Sequence, residues 1–134
     1  MSRPLFAYGT LRRGFGNHAA HLAGVPYLGA ARTADPMALH VRADGIPMLA
    51  RIPARHHVVG ELYAVDDATL AAIDALEGHP TWYRREPVVV VRVDGGRAGE
   101  VLTAWAYLVE RPDGRIATTG DYAEAARGWG RGRR

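Results

Sequence analysis

Residues 87–109, PVVVVRVDGGRAGEVLTAWAYLV, decide the fold. Two β-rich runs flank the turn segment DGGRAG, and an Asp-Gly step between valine- and aromatic-rich stretches predicts an antiparallel hairpin. Upstream, VVGELYAV at 58–65 alternates around a glycine and reads as another strand. PLFAYG at 4–9 reads as a buried opening strand that ends at a glycine. From 25 to 55 the pattern is strand-like but interrupted by prolines at 26, 36, 47 and 53, which suits short edge or bent strands. Two helices are predicted between these strands. NHAAHLAG at 17–24 has Asn17 as N-cap and Gly24 just past its end; DATLAAIDALE at 67–77 is capped by Asp66 or Asp67 and stopped by Gly78. About six strands and two or three short helices, without βαβ alternation, predict an α+β domain. Its sheet is a small, largely antiparallel β-barrel, since closure removes exposed edges.

A chain of 134 residues is the size of one domain. Residues 1–126 are expected to form it, with 127–134 as a disordered Gly/Arg-rich tail. Apolar residues make up 48% of the chain and charged residues 23%, the balance of a soluble globular protein. No apolar run is long enough to span a membrane, and the N-terminus shows no signal-peptide core, so a cytoplasmic protein is expected. Cysteine is absent, which removes disulfides, thiolate metal sites and a cysteine nucleophile. The pI is 9.7, yet every basic residue is arginine and four of them fall in the terminal RGWGRGRR. Without that tail, 13 arginines face 14 acids, so no nucleic-acid-binding face is indicated on the body. RNA contact through the tail is a separate hypothesis.

Glu77 is the residue that asks for an explanation. Leu70, Ile73 and Leu76 form the apolar side of the second helix, and Glu77 follows Ile73 by four residues and Leu70 by seven. Helical spacing therefore aims its carboxylate at the core side. Either it bends to water or pairs with Arg84 or Arg85, or it lines a cavity where desolvation raises its pKa towards neutrality. Tyr83 lies just past the Gly78–Pro80 turn, within reach of the same place. The turn Tyr8-Gly9-Thr10-Leu11 leaves the first strand. It reads either as an ordinary strand-to-loop turn or as a place where glycine allows unusual dihedrals and close backbone approach, with consecutive amides suited to a carboxylate. Four of the histidines fall in pairs, 18/21 and 56/57, but they lack an HExxH arrangement, so no metal site is assigned. Ser2 is the only serine, which leaves no obvious serine nucleophile.

Three stretches, YGTLRRGFGNH at 8–18, VVGELYAVDDATLAAIDALEGHPTWYRRE at 58–86 and TGDY at 119–122, together resemble the gamma-glutamylcyclotransferase-like family. The resemblance covers nearly the whole chain outside the arginine tail and is closest to the short gamma-glutamylaminecyclotransferase group. It implies a barrel-like α+β fold with a cavity between the first-strand loop and the acidic helix end. It also implies cyclisation of a gamma-glutamyl group to 5-oxoproline with release of an amine, and no cofactor. By the same resemblance, Tyr8, Gly9, Thr10 and Leu11 bind the glutamyl α-carboxylate and amine, Glu77 accepts the proton, and Tyr83 stands near the substrate. The expected partner is a small gamma-glutamyl molecule. Two alternatives remain open: another gamma-glutamyl conjugate as substrate, and a non-catalytic ligand-binding domain of the same fold.

Overall fold

The computed structural model describes residues 3–126, so the predicted disordered tail at 127–134 lies outside the described residues. The hairpin forms as the sequence requires. β6 (Arg84–Arg92) and β7 (Val101–Leu108) pair antiparallel from Arg84 opposite Leu108 to Val91 opposite Val101. A 3-10 turn at Gly95–Arg97 joins them, so the connection is longer than a two-residue hairpin turn. Val88 and Val90 point inward and are buried, while Val89 between them is exposed, the period of two expected of a strand with one covered face.

The rest of the sheet grows from this hairpin. β1 (Leu5–Ala7) pairs antiparallel with β5 (Val59–Tyr63), β5 with β2 (Tyr27–Thr33), and β2 with β6. β1 then meets β7 in parallel, Leu5 opposite Trp105, with the Trp105 amide donating to the Pro4 carbonyl at 2.8 Å. Five strands thus close into a mixed barrel with no free edge between β1 and β7. β4 (Pro47–Ala50) continues from β7 by a parallel step, Leu49 opposite Leu108, and carries β3 (Ala38–Val41) and the short β8 (Arg115–Ile116). The described sheet has eight strands, where about six are expected from sequence. The difference lies in the short strands between the prolines and in two-residue β8, which are too brief to show alternation. Pro26 and Pro36 precede β2 and β3, Pro47 opens β4 and Pro53 follows it, so each proline sits at a strand end.

Two apolar layers result. Phe6, Ala31, Leu62, Val88, Val90, Ala104 and Ala106 fill the barrel. Outside it, α2 (Asp67–Glu77) lays Ile73 against a layer that includes Leu5, Ala7, Met48, Tyr63 and Tyr107. Complete burial of Ile73 contributes about 2 kcal/mol to holding the helix there. The Asp66 carboxylate caps α2 by accepting from the Thr69 amide at 2.7 Å, and Gly78 ends it in the left-handed conformation at φ 69°. The first helix corrects the sequence reading. α1 is Gly16–His21, its N-cap position is Phe15, and no side chain caps it. Asn17 instead lies inside the helix and donates its amide to the Thr10 hydroxyl at 2.8 Å, because α1 packs directly over the Tyr8–Leu11 turn. Among the described residues, no helix is long and apolar enough to cross a membrane.

Candidate active site

The end of α2, the turn after β1 and the start of β4 meet around a pocket of about 200 Å³. Tyr8, Gly9, Thr10, Leu11, Glu77 and Tyr83 all line it, joined by Asn17, Ile46, Pro47, Trp82 and Tyr107. The six residues singled out from sequence, up to 75 positions apart in the chain, are therefore brought to one cavity.

Glu77 occupies the last position of α2 and is half-buried. Neither Arg84 nor Arg85 pairs with it. Arg85 grips Asp74, one turn earlier, through Nε at 2.8 Å and Nη2 at 3.1 Å, and Arg84 is exposed. Among the described residues nothing hydrogen-bonds or ion-pairs with the Glu77 carboxylate. Burial without compensation pushes its pKa from 4.5 up to about 7. Its place at the carbonyl end of a helix also disfavours negative charge. Asp74 shows the contrast within one helix. Burial pushes its carboxyl up too, but the bidentate Arg85 and the Tyr107 hydroxyl at 2.7 Å outweigh it and hold the pKa below the usual value. The neighbouring acids of α2 thus separate into a fixed structural anion and a free group that titrates near neutrality.

Three tyrosines build the walls. Burial first, then the nearby Tyr83 and Glu77 charges, raises the pKa of Tyr8, whose hydroxyl donates to the Tyr107 carbonyl at 2.7 Å. The Tyr83 hydroxyl donates to the Pro47 carbonyl at 2.6 Å, and burial together with Glu77 keeps its proton in place. Tyr83 is therefore not bonded to Glu77; its proton goes to the backbone of β4. Each phenol is a neutral strut whose ring faces the cavity.

The Tyr8–Leu11 turn corrects a second reading. Gly9 does not have a positive φ, so dihedral freedom is not why glycine is there. A Cβ at this position would stand 2.5 Å from Cγ of Pro47 and 3.3 Å from its Cβ. Glycine is needed because β4 begins hard against the turn. The Gly9 carbonyl accepts from the Arg12 amide at 3.0 Å, and the Thr10 carbonyl from the Asn17 amide at 3.2 Å. The amides of Gly9, Thr10 and Leu11 have no acceptor among the described residues. Asn17, Pro47 and Tyr107 escaped the sequence reading. The Asn-His pair after the YGTL stretch was the one available signal for Asn17; Pro47 and Tyr107 enter through pairings far apart in the chain.

The histidines do not assemble. His18 Nδ1 is 3.0 Å from the Leu11 carbonyl, His57 lies beside Arg32 and the Thr33 carbonyl, and His40 is buried in β3. Among the described residues, no group of three His, Asp or Glu is arranged to hold a metal ion.

Comparison with known proteins places the chain in a family. A Methanocaldococcus jannaschii protein, provisionally named a gamma-glutamylcyclotransferase, is 38% identical over 120 residues, covering 90% of this chain and 95% of its own. The gamma-glutamylaminecyclotransferase of Bos taurus is 39% identical over 88 residues, 61% of this chain and 52% of its own. The crystal structure of an AIG2-like protein from Mus musculus superposes with a TM-score of 0.73 at 29% identity, covering 80% of this chain and 76% of that one. The family model described as "Gamma-glutamyl cyclotransferase, AIG2-like" matches residues 5–124, a span that holds the turn, the acid and all three wall tyrosines. The chain belongs to the gamma-glutamyl cyclotransferase, AIG2-like family.

Proposed function

We propose that the protein is a gamma-glutamylaminecyclotransferase-type enzyme that converts a gamma-glutamyl amine to 5-oxoproline and the free amine, with Glu77 as the acid/base. One observation carries the reading: a carboxylate with no partner among the described residues lines the same small cavity as a turn whose three amides have no acceptor among them, and burial raises the pKa of that carboxylate to about 7. Those amides are suited to the glutamyl α-carboxylate, fixing the substrate by the one end every gamma-glutamyl compound shares.

The chemistry then needs little from the enzyme. Glu77 takes a proton from the substrate α-ammonium. The freed amine attacks the γ-carbonyl carbon and closes a five-membered ring. As the tetrahedral centre collapses, the C–N bond to the amine breaks and Glu77 gives its proton to the departing nitrogen. The regenerated carboxylate then takes the second proton from the ring nitrogen and passes it to the released amine, which leaves as an ammonium. Holding the glutamyl chain folded supplies much of the acceleration, since both reacting groups belong to one molecule. A carboxyl near neutrality is matched to both halves of the relay. Trp82 lines this pocket and also borders a second groove lined by Arg51, Arg84, Glu86 and Glu110.

The test is a panel of gamma-glutamyl amines and dipeptides, including the gamma-glutamyl-lysine isopeptide, scored for 5-oxoproline by mass spectrometry. Turnover of gamma-glutamyl amines in preference to α-amino-acid conjugates is expected; no 5-oxoproline from any member overturns the reading. The pH profile adds an independent check. Glu77 must be ionised to accept the first proton, so kcat/KM should rise with pH and level off above about 7. A profile that levels off near the ordinary glutamate value would place the proton acceptor elsewhere.

A further inference from the structure

The TGDY stretch at 119–122 has no part in the chemistry above, yet it bonds to the residue that follows the pocket's Tyr8–Leu11 turn. Arg12, the residue after the Tyr8–Leu11 turn, sends its Nη1 to Asp121 Oδ1 at 2.8 Å across 109 residues of chain. We propose that Arg12 and Asp121 are positioning residues, whose ion pair holds the Tyr8–Leu11 backbone in the shape that receives the glutamyl α-carboxylate. This rests on the reading of that turn as the carboxylate cradle.

Asp121 is itself tightly placed. Its Oδ1 also accepts from the Ala123 amide at 2.9 Å, capping the helical residues 122–126, and its own amide donates to the Thr119 hydroxyl at 3.2 Å. Gly120 anchors this segment to the barrel by accepting from the Val59 amide at 3.0 Å. A Cβ at Gly120 would lie 2.1 Å from the His57 carbonyl oxygen, so the segment runs hard against the strand. Tyr122 ties the segment to the other wall: its hydroxyl donates to Gly45 at 2.6 Å, next to pocket-lining Ile46 and Pro47, and its ring meets Phe15 at 5.2 Å. The C-terminal segment therefore contacts residues next to two of the pocket's lining stretches, Tyr8–Leu11 and Ile46–Pro47.

The electrostatics make Arg12 depend on this contact. Its side chain is only 16% exposed, and its Nε is buried with no hydrogen-bond partner among the described residues. Asp121 supplies the counter-charge. Without it, a largely buried guanidinium loses its only salt bridge among the described residues. The cheapest relief is for Arg12 to swing to water, and its backbone amide is bonded to the Gly9 carbonyl. The turn would move with it.

A double-mutant cycle tests this. Arg12→Met, Asp121→Asn and the pair are compared with wild type on the best substrate of the gamma-glutamyl panel; asparagine keeps the helix cap while removing the charge. Each single variant should raise KM about tenfold with kcat within about twofold, and the double should be no worse than either single. Arg12→Lys, which keeps the charge, should recover part of the KM loss. Backbone amide exchange in peptides spanning residues 7–13 should quicken in Arg12→Met, Asp121→Asn and the double while the wild-type melting profile is retained. Unchanged KM, additive effects in the double, or unaltered exchange would overturn the proposal. Should the wild type turn over no gamma-glutamyl compound, the functional reading fails by itself, and the exchange rates alone decide whether the ion pair sets the shape of the turn.

Discussion

Glu77→Gln is expected to lower 5-oxoproline release by about a thousandfold while making the protein more stable above neutral pH. The substitution keeps the shape and polarity of the side chain and removes only its capacity to exchange a proton. The loss should fall on kcat, because the residues proposed to grip the glutamyl group are untouched. The gain in stability follows from the same burial that tunes the acid. Its folded pKa, about 7, lies above the ordinary 4.5, so the folded state holds the proton more tightly than the unfolded chain. That contribution is fully present below about 4.5 and is lost as pH rises through about 7. Above that point the wild type carries a carboxylate with no partner among the described residues, one that water would solvate better. At 1.36 kcal/mol per pH unit the shift from 4.5 to about 7 sets a ceiling of roughly 3 kcal/mol, lowered by solvent screening of the half-buried side chain, and glutamine avoids that cost. Denaturant melts at pH 4 and pH 8 should show the two proteins alike at the lower pH and the variant ahead at the higher one. Retained turnover removes Glu77 from the mechanism. A variant less stable at pH 8 would mean that the carboxylate has a compensating partner, contrary to the geometry.

The acid was legible in the sequence because its signal is local. Leu70, Ile73 and Glu77 share a helix face by spacing alone, and Gly78 marks where the helix must end. The β6–β7 hairpin was legible for a similar reason: a turn signal stands between two runs of pleat-favouring residues. What escaped depends on contacts between distant residues. Tyr8 reaches the Tyr107 carbonyl across 99 positions, and Tyr83 reaches the Pro47 carbonyl across 36. No local pattern announces either contact. The parallel step of β1 onto β7, which closes the barrel, is likewise invisible until both strands are placed. Asn17 was misread for a different reason. Asparagine before a short apolar run is a good N-cap signal, and here tertiary contact with Thr10 overrides it.

Gly9→Val should reduce kcat/KM by about a hundredfold, and the reason is Pro47 more than the ligand. The sequence alone suggests that a side chain here would block approach to the turn's backbone. The structure shows an earlier obstacle, because even the first carbon of a side chain would stand 2.5 Å from Pro47 Cγ. One of the two segments must give way. If β4 moves, the Pro47 carbonyl moves with it, and that carbonyl holds the Tyr83 hydroxyl. If the turn moves, the Gly9–Leu11 amides are re-aimed. In either case geometry is lost on the wall opposite Glu77, and misplacement by about 1 Å is enough for a hundredfold loss. A compensating change separates the two explanations. In Gly9→Ala the clash is confined to one carbon, and pairing it with Pro47→Ala removes Cγ while keeping the carbonyl that Tyr83 needs. The Gly9→Ala/Pro47→Ala double should recover most of the activity that Gly9→Ala loses, with KM returning towards wild type and the melting temperature rising alongside. Recovery of folding without recovery of KM would show that the missing Cβ is needed by the substrate itself, and the proline contact would then be incidental.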